Sequence, residues 1–430
     1  MSGLPIAGGR ERAAGQPRSG SRLGAVAFGV VLSLVAVEFA LRIAPQVIAP
    51  KFLVLFEPGL RAEIASGAYP LQKDFRPVER DDGGPPLFAA RPDTRIVSID
   101  EVAGGLPRRT DELGFCNPPG RYDGHERLDL VTLGDSFTWC HAVLPEQAWP
   151  ALVAGRTGLA TYSLGRGGTG LYEYLQYLRV FGLAKHPRIV VMNVYGGNDL
   201  RDAEDYADYR DAVARGATPP SEEPPPVAPA LLASPLGRHS YALNLALAVA
   251  SSLAGKNARD WERTGVDLHY DVLLPGHAVA FNVENRDRDE VVTARRLEDG
   301  RASLDAWEPA LRRFADLARA NGFTGVVAYT PSAHIAYGGR VGFEDPSLAA
   351  PLVHLDDAQR VFLRDEAAAL GLLFHDVTPD LQKASNHADE SGLLYSPVHM
   401  HLSRRGHEVV AESMSRFLED QGLAPRPAAD

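Results

Sequence analysis

Leu128 to Thr138 reads LDLVTLGDSFT, and the fold turns on this stretch. Leu128–Leu133 carries the apolar and β-branched residues of a short buried strand. Gly134, Asp135 and Ser136 behind it predict a tight turn into the next element. Downstream, residues 161–164 predict a short strand, followed by a glycine turn and a helix from Leu171 to about Leu183. Arg188–Tyr195 (RIVVMNVY) is a nearly continuous apolar run, the pattern of a parallel strand buried on both faces. Leu304, Trp307, Leu311, Phe314 and Leu317 trace a helical stripe that begins close to Pro309 and stops at Asn321-Gly322. Gly325–Thr330 and Leu372–His375 predict further strands, with a helix over Gln359–Leu370 between them. Ser403 is placed to cap a last helix running to about Leu418. Strands alternating with helices predict an α/β fold, a three-layer α/β/α doubly wound parallel sheet.

The chain has 430 residues, 45% apolar and 23% charged, enough for a large core. Its net charge of −11 disfavours binding nucleic acid by counterion release. The charge is unevenly spread. Residues 1–22 hold four arginines and one glutamate, net +3, and the other forty basic and fifty-four acidic residues give −14. Two cysteines, Cys116 and Cys140, exclude an all-cysteine zinc site and leave either one disulfide or two free thiols.

Leu23–Val37 (LGAVAFGVVLSLVAV) has no charge, and with the residues up to Ala44 it is long enough to cross a bilayer. Glu38 and Arg42, four apart, can pair on one helical face. The arginines in front should stay in the cytoplasm and send the remainder outward. A cleaved signal peptide is the rival reading. Its small-residue candidates, Ala44 and Ala49, are each followed by proline. The organisation expected is a disordered tail over 1–21, a transmembrane helix over 22–45 and a Pro-rich lead-in over 46–125. A domain over 126–420, with an insertion at about 203–300, and a tail over 421–430 complete it. Within the insertion, Thr218–Pro235 reads as a loop and Tyr270–Val283 as added strands. Arg286–Glu290 (RDRDE) reads as solvated surface, and Tyr172, Tyr174 and Tyr177 as helix packing.

In a doubly wound sheet the site lies at the carboxyl ends of the strands. Gly134-Asp135-Ser136-Phe137, Gly165-Arg166-Gly167-Gly168-Thr169-Gly170 and Gly196-Gly197-Asn198-Asp199 follow three successive strands, and His399-Met400-His401 precedes the last helix. These are the parts of acyl transfer: a serine on a strand-to-helix turn as nucleophile, a histidine to carry its proton, and glycine-turn N–H groups with an Asn amide to hold an oxyanion.

The four blocks, in this order over about 128–418, resemble the GDSL/SGNH hydrolase family, in particular bacterial members with an N-terminal membrane anchor. The resemblance implies a flavodoxin-like sheet and assigns Ser136 as nucleophile and His401 as base. Ser136 and Gly168 backbone N–H groups and the Asn198 side chain would form the oxyanion hole. His401-Leu402-Ser403-x-x-Gly406-His407 matches the histidine block. Phe137 stands where Leu is commoner, and Ser163 where Asn is common. The family usually carries an Asp two or three residues before the catalytic His, and here those positions are His399 and Val398. The readings left are a Ser136–His401 dyad with a backbone orienter, a carboxylate folding in from Asp389 or Glu390, or a site with poor activity.

The function expected is an anchored serine esterase acting on ester groups, O-acetyl first, of envelope or extracellular glycans. The alternatives are an O-acyltransferase at the same site and a non-catalytic glycan-binding or assembly protein. The expected partners are an acylated glycan or small ester and the lipid bilayer. No cofactor and no metal are expected. Gly165-x-Gly167-x-x-Gly170 spells a dinucleotide fingerprint, but no acidic residue ends the next strand. His399, His401 and His407 read as a catalytic histidine with solvated neighbours rather than a metal set. In an oxidising compartment Cys116 and Cys140 can pair and pin the lead-in beside Ser136.

Overall fold

The computed structural model describes residues 19–49, 52, 56, 60, 64, 75–85, 87–93, 95–96, 108–141, 143–216, 234–250, 268–282, 288–387, 392–397 and 400–426. The expected tail before residue 19, most of the Pro-rich loop, and Val398, His399, Asp389 and Glu390 lie outside them. The chain divides into two compact units, Met1–Ala68 with Pro225–Ser252, and Tyr69–Pro224 with Leu253–Asp430.

The first unit contains helix α1 (Ser19–Ile43). A helix over Tyr241–Ala250 in the same unit comes from the middle of the insertion. The carboxylate of Glu38 accepts from the Ser240 hydroxyl at 3.0 Å and from the N–H groups of Tyr241 at 3.1 Å and Ala242 at 2.8 Å. It therefore caps that helix, satisfying amides that have no partner within it. Arg42 pairs with Glu38 at 2.8 Å and lies over the Tyr241 ring.

The second unit is built on five parallel strands: β1 (Leu130–Leu133), β2 (Thr161–Ser163), β3 (Ile189–Tyr195), β4 (Thr324–Thr330) and β5 (Leu373–Asp376). Their order is β5-β4-β3-β1-β2, the flavodoxin-like doubly wound order with its switch point between β1 and β3. All seven residues of β3 are buried, as its unbroken apolar run requires. Helices α2 (Trp149–Thr157), α3 (Leu171–Tyr177), α4 (Asp199–Ala214), α5 (Glu308–Asn321), α6 (Ala349–Leu370) and α7 (Arg404–Asp420) surround it. α2 packs with α7, while α5 packs with α3 and α6, giving two helical layers. α5 stops at Gly322 in a left-handed turn, and Ser403 caps α7 by accepting from Gly406 N–H at 3.1 Å.

Three expectations are corrected. α3 ends at Tyr177, not near Leu183, because a wider π turn takes over at Leu178–Gly182. There Gly182 lies so close to Leu178 and Leu164 that an added Cβ would meet them at 2.7 and 3.2 Å. The helix placed over Gln359–Leu370 begins ten residues earlier, at Ala349. Arg286–Glu290 is not wholly solvated surface, since Glu290 is buried and accepts from the Ser332 hydroxyl at 2.9 Å. The strands expected at Tyr270–Val283 are His269–Leu274 and His277–Asn282, joined antiparallel and extended by Val341–Phe343.

The lead-in closes the free edge of β2. Asn117 accepts from Ser163 N–H at 2.8 Å and donates to the Ser163 carbonyl at 2.9 Å and to Asp111 at 2.7 Å. Tyr162 donates to the same Asp111 carboxyl at 2.6 Å, and burial pushes that carboxyl up to about 6. One asparagine thus imitates a neighbouring strand. Asn117→Ala should cost about 2–4 kcal/mol, since it strands buried backbone and carboxyl groups. Denaturant midpoints check this, and a loss below about 0.5 kcal/mol would show that the edge is held by other groups.

Candidate active site

β1 and β3 part at their carboxyl ends, and the residues that follow them converge there. Past β1, the buried carboxyl of Asp135 organises the turn. It accepts from Phe137 N–H at 2.8 Å and from the Ser136 hydroxyl at 3.3 Å, while its backbone carbonyl accepts from Trp139 N–H at 2.9 Å. Burial, helped by the charge of Asp202, pushes the Asp135 carboxyl up to about 7 against the pull of the Phe137 amide. Ser136 is half-buried at the head of this turn.

The glycine block lies over that turn. Arg166 N–H donates to the Gly134 carbonyl at 2.9 Å. An added Cβ on Gly167 would stand 3.4 Å from the Ser136 Cβ. Gly168 takes a left-handed φ of +73°, which glycine adopts without the penalty of a side chain. Gly170 donates to Glu173 at 3.2 Å, so the amide at the head of α3 is already taken by the chain's own carboxylate.

Past β3, Asn198 precedes α4 and its side-chain amide donates to Asp202 at 2.6 Å. Asp199 is fully buried and accepts from Tyr195 N–H at 2.9 Å and the Tyr174 hydroxyl at 3.0 Å. Burial and the nearby Asp135 and Asp202 push its carboxyl well above the usual range. Burial and mutual repulsion therefore favour the protonated forms of Asp135 and Asp199 over full ionisation.

His401 enters from a loop closed by an antiparallel bridge between Tyr395 and Leu402 and by Ser396 N–H donating to the His401 carbonyl at 2.9 Å. Met400 just before it is buried with a left-handed φ of +62°, a conformation that costs a residue with a side chain about 1 kcal/mol. The His401 ring stacks with two others, Phe137 at 5.0 Å and His141 at 3.7 Å between centroids, tilted by 27° and 18°. Phe137 in turn stacks on Tyr195 at 3.6 Å and 16°. The four rings run from the end of β3 through the nucleophile turn to the histidine loop. Sequence reasoning missed His141 and Asp202. His141 sits five residues past Ser136, and no spacing rule marks a stacked imidazole.

Cys116 and Cys140 are joined in a disulfide with Cα atoms 5.9 Å apart, which ties the lead-in to the residue before His141. Closing a loop of that length contributes about 3–4 kcal/mol on a chain-entropy argument. His407, expected as a solvated neighbour, is instead buried, and its Nδ1 accepts from the backbone N–H of Trp149 at 3.3 Å. Among the described residues no group of three or more His, Cys, Asp or Glu is arranged to hold a metal ion.

No family model matches the chain, and no curated protein matches it. Among solved structures it is similar to a protein described as a lipolytic protein of the G-D-S-L family from Desulfitobacterium hafniense DCB-2, at 15% identity over 67% of this chain and 98% of that one, TM-score 0.35. It is also similar to a variant of an acetyl xylan esterase from Geobacillus stearothermophilus, at 14% identity over 70% and 97%, TM-score 0.35. A third, TesA, is 13% identical over 68% and 98%, TM-score 0.32. What the site can do is carried by its own residues.

Burial pushes the His407 imidazole down to about 3. Between its ordinary value and that one, the unfolded chain binds a proton that the folded chain refuses, so stability is lost as pH falls from about 6.5 toward 3. His407→Gln, which keeps an acceptor for Trp149, should flatten that slope in denaturant titrations run across the window. An unchanged slope would mean that His407 is not the group responsible.

Proposed function

We propose that the chain is a serine ester hydrolase of the SGNH type, with Ser136 as nucleophile and His401 as base. The observation that supports this best is the contact of the His401 ring with Phe137, the residue directly after Ser136, across more than 260 positions of sequence. The Ser136 hydroxyl, resting on Asp135, turns toward His401, which takes its proton as the oxygen attacks the ester carbonyl. The oxyanion is held by the Ser136 and Gly168 N–H groups and by Asn198. The Asn198 amide carries two hydrogens; Asp202 takes one and fixes the plane of the other. Protonated His401 then releases the alcohol, and water, activated by the same imidazole, frees the acid. A sugar hydroxyl in place of that water would make the site an O-acyltransferase.

α1 is proposed to anchor the chain in the inner membrane with the second unit outside the cytoplasm. It supplies a 20-residue span, Gly24–Ile43, of mean hydropathy 2.2. A signal sequence would have the same composition. The Glu38 cap on the Tyr241–Ala250 helix favours a retained helix, because cleavage would remove the groups that satisfy those amides. An anchor of this kind sets the site beside envelope glycans, and an O-acetylated glycan is the substrate class proposed.

The full chain in detergent should react with a fluorophosphonate probe and turn over a short-chain aryl ester. Ser136→Ala should lose both, and His401→Ala should lower turnover by about 10⁴-fold or more. No reaction in the wild type would sink the esterase reading. Loss in His399→Ala with retention in His401→Ala would move the base by two residues. Intact mass of the membrane-extracted chain should include residues 1–50, and a mature chain lacking them would overturn the anchor.

A further inference from the structure

We propose that His141 is a positioning residue for His401, holding the base by ring stacking at a site whose sequence lacks the usual aspartate before the histidine. The inference rests on the esterase reading and adds a residue to it. A general base works only if its imidazole is held at the angle that meets the nucleophile. A carboxylate does this by gripping one ring nitrogen. Here positions 398 and 399 are Val and His. Two rings stack against the imidazole, Phe137 and His141, His141 being the closer and the more nearly parallel.

Such a stack restricts tilt of the ring plane while leaving its edges to proton transfer. His141 is itself well held. It is buried, its N–H donates to the Trp139 carbonyl at 2.9 Å, and it follows Cys140, which the disulfide ties to Cys116. Phe137, the other ring stacked with His401, rests on Tyr195, so the stack is backed by β3. The histidine loop accepts a left-handed Met400 to present the ring there, and the Tyr270 hydroxyl lies 3.5 Å from the Met400 sulfur.

Two variants of similar size separate positioning from filling. His141→Leu keeps the volume without a flat ring, and His141→Phe keeps the ring. Rates of fluorophosphonate labelling at Ser136 and kcat and KM for an aryl ester are measured on the full chain, with thermal melts in parallel. The expected result is labelling and kcat at least thirtyfold lower for the Leu variant with KM little changed, and recovery to within about threefold of wild type for the Phe variant. If His141→Leu does not fold, His141→Met takes its place. A reactive wild type with Leu and Phe variants alike in kcat would overturn the positioning role alone. An unreactive wild type would overturn the esterase reading, and the positioning role with it.

Discussion

Phe137 stacks with both Tyr195 and His401, and these contacts tie together segments that the chain supplies from three distant places. The sheet delivers two of them. Because β1 and β3 are neighbours at the switch point, the turns after them leave the sheet side by side. The third segment, the loop before α7, is not a sheet element, and an aromatic contact brings it in. Removing the Phe137 ring would leave His141 stacked on His401 but would break the link from that ring to Tyr195 at the end of β3.

A second constraint lies beneath the stack. Asp135 and Asp199 are fully buried, and with Asp202 they put three carboxyls within electrostatic reach of each other. Burying Asp135 and Asp199 is costly, and their raised proton affinities express that cost. The return is geometric. Asp135 fixes the turn that carries Ser136, Asp199 fixes the turn before α4, and Asp202 fixes the Asn198 amide. Between the ordinary carboxylate range and about 7 the folded chain holds a proton on Asp135 that the unfolded chain releases, so this group favours the fold less as pH rises through that window.

Much of the second unit was legible because its strands are short, apolar and followed by punctuation. LDLVTL, RIVVMNVY and GVVAYT read as strands from pattern alone, and Gly322 and Ser403 mark a helix stop and start by local chemistry. Other features depend on partners hundreds of residues away. Nothing in the insertion's own sequence says that Pro225–Ser252 joins the N-terminal unit, because the cap it receives comes from Glu38. RDRDE looks solvated by charge count, yet Glu290 turns inward to a serine just past β4. His141 was invisible for the same reason. Spacing rules describe helices, strands and hydrogen-bonding motifs, and a ring lying flat on another ring has no fixed interval in sequence.

Ser136, the oxyanion donors and a stacked His401 are proposed to form one reacting centre. A crystal structure of the full chain after reaction with a fluorophosphonate tests this most directly. The expected result is phosphorus bonded to the Ser136 oxygen, the phosphoryl oxygen facing the Gly168 N–H and the Asn198 amide, and the His401 ring still stacked with Phe137 and His141. An adduct on another residue, or a His401 ring lying outside the stack while Ser136 is modified, would contradict it.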